Sequence, residues 1–328
     1  MEKQNDMLLR VKDLRVYYTA GGEIINAVNG VDLEVRRGET LGLVGETGAG
    51  KTTIAKSIMR ILPDPPAKIG GGEIYLDGQE LLHLPEKKMR EIRGKKISMI
   101  FQDPMTALNP VFTVGEQIEE VIMLHEKVNK GEAAVKARQM LELVGIPGDR
   151  SGDYPHQFSG GMKQRVVIAM ALACSPELIL ADEPTTALDV TIQAQILDMI
   201  KALKEKKNTS MILITHDLGV VAEVCDRVAV VYAGEIIEYG TKEEIFDYPA
   251  HPYTVGLFGS IPKIHEDVEW LDSIPGMPPN PADLPSGCHF HPRCSKCTQP
   301  CGEKAPEMVE VRRGHFVRCL NCTEKKES

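Results

Sequence analysis

Eight residues, Gly45-Glu46-Thr47-Gly48-Ala49-Gly50-Lys51-Thr52, constrain this chain more than any other stretch. They follow an apolar run that reads as a strand (Thr40-Leu41-Gly42-Leu43-Val44) and lead into a helical pattern that continues through Thr53. Strand, glycine-rich loop and helix, in that order, are what phosphate binding by backbone requires. Glycines allow the angles that turn successive N–H groups inward on an anion, and the helix N-terminus adds its dipole. A lysine at the Lys51 position reaches β and γ phosphates, and a hydroxyl at Thr52 suits Mg²⁺.

The rest of the chain agrees with a parallel α/β fold. Residues 7–45 alternate apolar and polar positions, the period of strands. Residues 113–144 change to helical spacing, with Val114, Ile118, Val121 and Ile122 on one face and Val135, Met140, Leu141 and Val144 following, until Gly145 and Pro147 end the pattern. After Ser159 come a helix over 162–173, the strand Leu178-Ile179-Leu180-Ala181-Asp182, a helix over 191–204 and the strand Met211-Ile212-Leu213-Ile214-Thr215. Strands alternating with helices predict a largely parallel sheet covered on both faces. The length, 328 residues, accommodates a main domain over 1–250, with a helical insertion near 103–158, and an appendage over 251–328. The appendage opens with the proline-rich run PGMPPNPADLPSG from Pro275.

Composition excludes several classes of function. With 38 Lys+Arg against 47 Asp+Glu the net charge is -9, and no basic stripe is present to neutralise a nucleic-acid backbone. The longest apolar run, from Val166 to Cys174, has nine residues; a bilayer needs roughly 20. The first ten residues, MEKQNDMLLR, hold no signal-peptide apolar core. Any membrane contact is therefore expected to go through other subunits.

The strand over 178–182 ends in two adjacent acids, Asp182 and Glu183, where one carboxylate can orient magnesium and the next can polarise a water. Phe158-Ser159-Gly160-Gly161-Met162 then resembles the signature motif of ABC ATPases, with Met162 in place of the commoner Gln. Around it, Gln102 in FQDP resembles the Q-loop, Ala187-Leu188-Asp189 the D-loop and His216 in ITHD the switch histidine. Tyr18, with Tyr17 second, is placed to stack on adenine. The resemblance implies a P-loop ABC-type nucleotide-binding domain, with a mixed sheet and an inserted α-helical subdomain, that hydrolyses ATP. It further implies a head-to-tail dimer closing on two ATP molecules. In it Glu183 is the general base and His216 holds the γ-phosphate. Thr52, Gln102 and Asp182 surround magnesium, and the partner's Ser159, Gly160 and Gly161 cap the nucleotide.

Farther on, His251-Pro252-Tyr253-Thr254, Ser260-Ile261-Pro262, Ile274-Pro275-Gly276 and the run from Gly287 to Cys294 (GCHFHPRC) resemble the C-terminal extension of bacterial dipeptide/oligopeptide permease ATPases. That family implies import of peptides. Its partners are a paralogous ATPase or a second copy, two transmembrane permeases and an external peptide-binding protein, with the ATPase peripheral on the cytoplasmic face. Nickel and some sugar importers share the tail. Non-transport ABC proteins that act on DNA interpose a long coiled coil, whereas 56 residues separate Gln102 from Ser159 here.

Of eight cysteines, Cys174 and Cys225 sit in apolar helical context and read as core. The other six crowd into the last 41 residues. Their spacing, Cys294-x-x-Cys297 and Cys319-x-x-Cys322, is close to a zinc ribbon. The family resemblance instead implies a [4Fe–4S] cluster on Cys288, Cys294, Cys301 and Cys319, leaving Cys297 and Cys322 spare. The cluster, zinc, and unmetallated thiols or disulfides all stay open, with the cluster favoured.

Overall fold

Long runs of buried apolar residues make the strands. All five residues of Thr40–Val44, Leu178–Asp182 and Ser210–Ile214 are buried, as befits parallel strands covered on both faces. The computed structural model describes residues 6–185, 190–259 and 274–322. Asp189, with the Ala187 and Leu188 before it, and Ser260-Ile261-Pro262 lie outside the described residues. Two compact units emerge, neither continuous in sequence.

One unit comprises residues 9–34, 40–82 and 214–328. It carries an antiparallel sheet in the order Glu23–Arg36, Met7–Ala20, Ala67–Leu76, Gln79–Glu80. Alternation along Met7–Ala20 changes phase partway, from Leu9 and Val11 to Leu14 and Val16, all buried. The register slips between Lys12 and Arg15, around Asp13 at φ 43°. This bulge restores the apolar face after one unpaired residue. The same unit holds the strands Val309–Arg312, His315–Val317, Glu235–Thr241, Arg227–Tyr232 and Thr40–Val44 in that order. Thr40–Val44 runs parallel to Arg227–Tyr232, and the other pairs are antiparallel.

Near the C-terminus a short hairpin adds to this sheet: His315–Val317 pairs with Glu235–Thr241, placing Val317 opposite Glu238. A hairpin of four and three residues cannot bury enough surface to stand alone, and an existing strand supplies its partner. Beneath it Glu238, fully buried, accepts from His315 Nε2 at 2.8 Å and from the N–H groups of Ala250 at 2.7 Å and His251 at 2.8 Å.

The other unit comprises residues 1–8, 35–39 and 83–213. Ile97–Ile100 pairs in parallel with Leu178–Asp182, and Ser210–Ile214 follows in the strand order. The periodic stretch over 113–144 is two helices, Val114–His125 and Lys130–Leu143, not one block. Each begins with a capping box, Thr113 with Glu116 and Asn129 with Glu132, so Asn129 starts a new helix where periodicity alone runs on. The second helix buries Ala133, Ala137 and Leu141, while Val135 is 53% exposed. Cys225 is buried as expected; Cys174 is only half-buried.

Candidate functional site

The unit that contains Thr40–Val44 presents the phosphate loop. Gly45 leaves the strand at φ 148°, and a Cβ there would stand 2.1 Å from the Val231 carbonyl oxygen. Gly50, at φ 105°, caps the helix Lys51–Met59, and a Cβ there would stand 2.4 Å from the Ala27 carbonyl oxygen. Both positions therefore require glycine. Between them Ala49 N–H closes a turn on the Glu46 carbonyl at 3.2 Å. Buried Lys51 spans the loop, its Nζ donating to the carbonyls of Gly45 at 2.7 Å and Glu46 at 2.9 Å. The ammonium thus bridges the two ends of the turn that Gly45 and Glu46 begin.

Thr52 and Thr53 follow in the first turn of that helix, and the Tyr18 hydroxyl lies 3.4 Å from Thr53 Oγ1. Tyr17 lies along Gly70, whose added Cβ would meet its ring at 3.1 Å. Of the two tyrosines, Tyr18 is the one beside the loop's helix. Thr47, Gly48 and Ala49 border a 230 Å³ cavity whose far wall includes Pro278 and Pro281. His216 is exposed, and Asp217 beside it caps the helix Leu218–Val224 by accepting from Gly219 and Val220 N–H.

In the other unit Asp182, buried, ends the strand Leu178–Asp182. Glu183 follows at φ 47°, a strained backbone for a residue with a side chain. Its Oε2 accepts from Gln102 Nε2 at 2.7 Å. Two residues singled out 81 positions apart are therefore in contact. Ser159 caps the helix Gly160–Leu172, its Oγ accepting from Met162 N–H at 3.4 Å. Ser159 and Gly160 are exposed, and a Cβ on Gly161 would meet Ile192 Cγ2 at 2.8 Å. Below the cap, the Arg150 guanidinium sits 4.3 Å over the Phe158 ring.

The cysteine tail folds as successive tight turns. Cys288 N–H donates to the Cys301 carbonyl at 2.8 Å, Cys294 N–H to His291 at 3.2 Å and Cys297 N–H to Cys294 at 3.2 Å. All eight cysteines are free thiols. Burial pushes the Cys288 thiol up to about 11, and the neighbouring Cys319, Cys301 and Cys294 add to the shift. Burial also raises Cys294, with Cys319, Cys297 and Cys301 contributing. Cys288, Cys294, Cys297, Cys301 and Cys319 are thus near enough to feel one another's charge. The Cys322 thiol donates to Cys319 and holds it down at about 6, while Cys297 is exposed. Among the described residues no three His, Cys, Asp or Glu side chains converge on one ion-sized point.

Sequence reasoning missed the partners of Glu46. Its carboxylate is paired with Arg293 and its N–H with the Tyr253 hydroxyl. The motifs HPYT and HPRC were visible, but nothing local in them points at a loop more than 200 residues earlier.

Residues 28–186 match the ABC transporter family, and residues 237–301 match the oligopeptide/dipeptide transporter C-terminal region. The oligopeptide transport ATP-binding protein OppD of Bacillus subtilis is 52% identical over 314 residues, which are 95% of this chain and 88% of that protein. The dipeptide transport ATP-binding protein DppD of the same organism is 50% identical, over 96% of this chain and 94% of its own length. OppD of Escherichia coli is 48% identical, over 99% and 96%. Among solved structures, the dimeric ATP-binding cassette MJ0796 in a post-hydrolysis state with ADP and Pi is 30% identical. It superimposes with a TM-score of 0.65 over 72% of this chain and 99% of that one. With cassette motifs and tail on one polypeptide, the chain belongs to the ABC transporter family, among the ATP-binding proteins that carry the oligopeptide/dipeptide transporter C-terminal region.

Proposed function

We propose that this chain hydrolyses ATP to power the import of dipeptides or oligopeptides through an ABC permease. The observation that carries the reading is the match, near 50% identity over nearly the whole chain, to oligopeptide and dipeptide transport ATP-binding proteins. Residues 1–250 form the cassette, with the helical part near 103–158, and residues 251–328 the extension. Lys51 exchanges its two carbonyl partners for phosphate oxygens, and Tyr18 meets the adenine ring. Residues 45–53 cradle the phosphates. The donors proposed for magnesium, Thr52, Gln102 and buried Asp182, are all oxygens, as a hard cation requires. When bound, the ion neutralises charge on the phosphate oxygens.

Glu183 takes a proton from the attacking water while Gln102 orients its carboxylate. His216 holds the γ-phosphate in line, and Asp189 serves as the D-loop acid that the family resemblance implies. Ser159, Gly160 and Gly161 cap the nucleotide held by a partner, either a paralogue or a second copy. The support is the exposure of Ser159 and Gly160 at a helix N-terminus, whose dipole favours an anion.

Two transmembrane permeases and an external binding protein complete the assembly, with this subunit peripheral on the cytoplasmic face. No helix among the described residues is long and apolar enough to cross a membrane. Met105, Val111 and Phe112, at 62%, 71% and 50% exposed, are apolar side chains shortly after Gln102 in sequence that a permease could cover. In the reconstituted transporter, peptides delivered by the binding protein should stimulate ATP hydrolysis. Stimulation by a nickel chelate instead, with none by peptides, would move the chain to the metal-importing branch.

The thiols of Cys288, Cys294, Cys301 and Cys319 would make a soft donor set of the kind that suits a [4Fe–4S] cluster, with zinc the alternative for the same chemistry. Cys288, Cys294, Cys301 and Cys319 would hold the cluster, which supplies a cross-link to a segment poor in apolar residues. Anaerobically purified chain should contain about four irons. A colourless preparation containing one zinc per chain sinks the cluster.

A further inference from the structure

Glu46 lies inside the phosphate loop, yet no role assigned to that loop uses its side chain. All of its polar groups are engaged. Arg293 grips the carboxylate with both prongs, Nη1 donating to Oε2 at 2.8 Å and Nη2 to Oε1 at 3.0 Å. The Glu46 N–H donates to the Tyr253 hydroxyl at 2.9 Å, and its carbonyl accepts from Lys51 at 2.9 Å.

Arg293 is held in turn. Its Nε donates to the Pro275 carbonyl at 2.9 Å, its Nη1 reaches the Tyr232 hydroxyl at 3.4 Å, and its side chain is 5% exposed. Around it Tyr232, Tyr253 and Phe290 pack ring to ring at 4.6 to 5.5 Å. A guanidinium this enclosed would be costly without its carboxylate, so the pair fixes where Glu46 stands.

The position of Arg293 is set by the cysteine turn. It ends the short 3-10 turn His291–Arg293, between Cys288 and Cys294. The Cys288 carbonyl lies 2.9 Å from the His291 N–H and 3.0 Å from its Nδ1, and the His291 carbonyl accepts from Cys294 N–H at 3.2 Å. A continuous chain of contacts therefore runs from Cys288 through Arg293 to the residue between Gly45 and Thr47, all within one compact unit.

We propose that Arg293 and Tyr253 are positioning residues of the ATP site: by holding Glu46 they shape the phosphate loop, and they tie nucleotide affinity to the shape of the cysteine turn. The proposal rests on the nucleotide reading of residues 45–52. It adds that a segment 247 residues downstream is built into the cradle.

The test uses the full chain, with binding of a fluorescent ATP analogue in magnesium, and ATP turnover in the assembled transporter. Arg293→Gln and Glu46→Gln should each raise Kd and KM by about tenfold, the worth of one charge-assisted hydrogen bond, and Tyr253→Phe, which removes a neutral one, by about fivefold, with kcat within about twofold in all three. Arg293→Lys, which keeps the charge but not the fork, should recover only part of the loss. Arg293→Gln with Glu46→Gln should bind no more weakly than the worse single variant, because both break one interaction.

Cys288→Ser should weaken binding in the native background and add nothing once Arg293→Gln is present. Wild-type affinity in folded Arg293→Gln and Tyr253→Phe overturns the proposal, as does an equal effect of Cys288→Ser in both backgrounds. If Arg293→Gln fails to fold, Tyr253→Phe, which removes one oxygen, decides alone. Lys51→Ala separates the two levels: unchanged nucleotide binding there refutes the site itself, whatever the tail does.

Discussion

Replacing Gly45 with alanine should cost the chain several kcal/mol and abolish nucleotide binding. At φ 148° a side chain is already strained, and the new Cβ would stand 2.1 Å from the Val231 carbonyl oxygen, where real contacts stay beyond 3.0 Å. The two must part by about 0.9 Å, the difference between those distances. Neither neighbour yields cheaply. Val230 pairs with Val44 on one side of that strand, and Val231 pairs with Ile236 on the other.

The backbone strain is worth about 1–2 kcal/mol, and disturbing two or three ladder hydrogen bonds adds about 1 kcal/mol each. The total is about 3–5 kcal/mol. Urea unfolding followed by circular dichroism, with and without MgATP, measures both consequences. At 100 times Kd, nucleotide should stabilise the native chain by about 2.7 kcal/mol and the variant by nothing. A variant that lost less than about 1 kcal/mol and kept the nucleotide shift would refute the close-approach reasoning.

Glu183→Gln preserves the size of the side chain and an oxygen to accept from Gln102, so it should leave ATP binding intact while lowering turnover by about 10²-fold or more; an unchanged ATPase rate would reject Glu183 as the base. His251, at 1% exposed, is held down to about 4 by desolvation, and its Nδ1 accepts from Tyr253 N–H at 3.0 Å. The unfolded chain takes up this proton below about 6.5, whereas the folded chain refuses it until about 4. Stability present at neutral pH should therefore fall as pH drops through that window, by up to about 3 kcal/mol. Urea midpoints from pH 7 to 5 should show a shallower slope in His251→Asn, and equal slopes would assign the effect to other groups.

What could be read in the chain before folding was whatever chemistry is contiguous. The phosphate loop needs glycines, a lysine and a hydroxyl at set spacing on one strand–loop–helix unit, so composition and function coincide over eight residues. The buried parallel strands announce themselves as unbroken apolar runs. Helix periodicity was also legible, but it ran through Asn129, because a capping box interrupts the backbone without breaking the apolar rhythm. Gln102 and Glu183 were singled out separately as motif members; their contact at 2.7 Å is a product of adjacent parallel strands.

The sequence by itself determined that this chain would bind a nucleotide with a P-loop and bear the marks of an ABC cassette with a permease-type tail. Only the tertiary structure decided that the tail's hairpin extends the strand order at Glu235–Thr241, and that Arg293 and Tyr253 close on Glu46. The physical reason is separation. A motif encodes what neighbouring residues can do together, whereas a buried guanidinium finds its carboxylate wherever packing leaves one, and no local pattern records which.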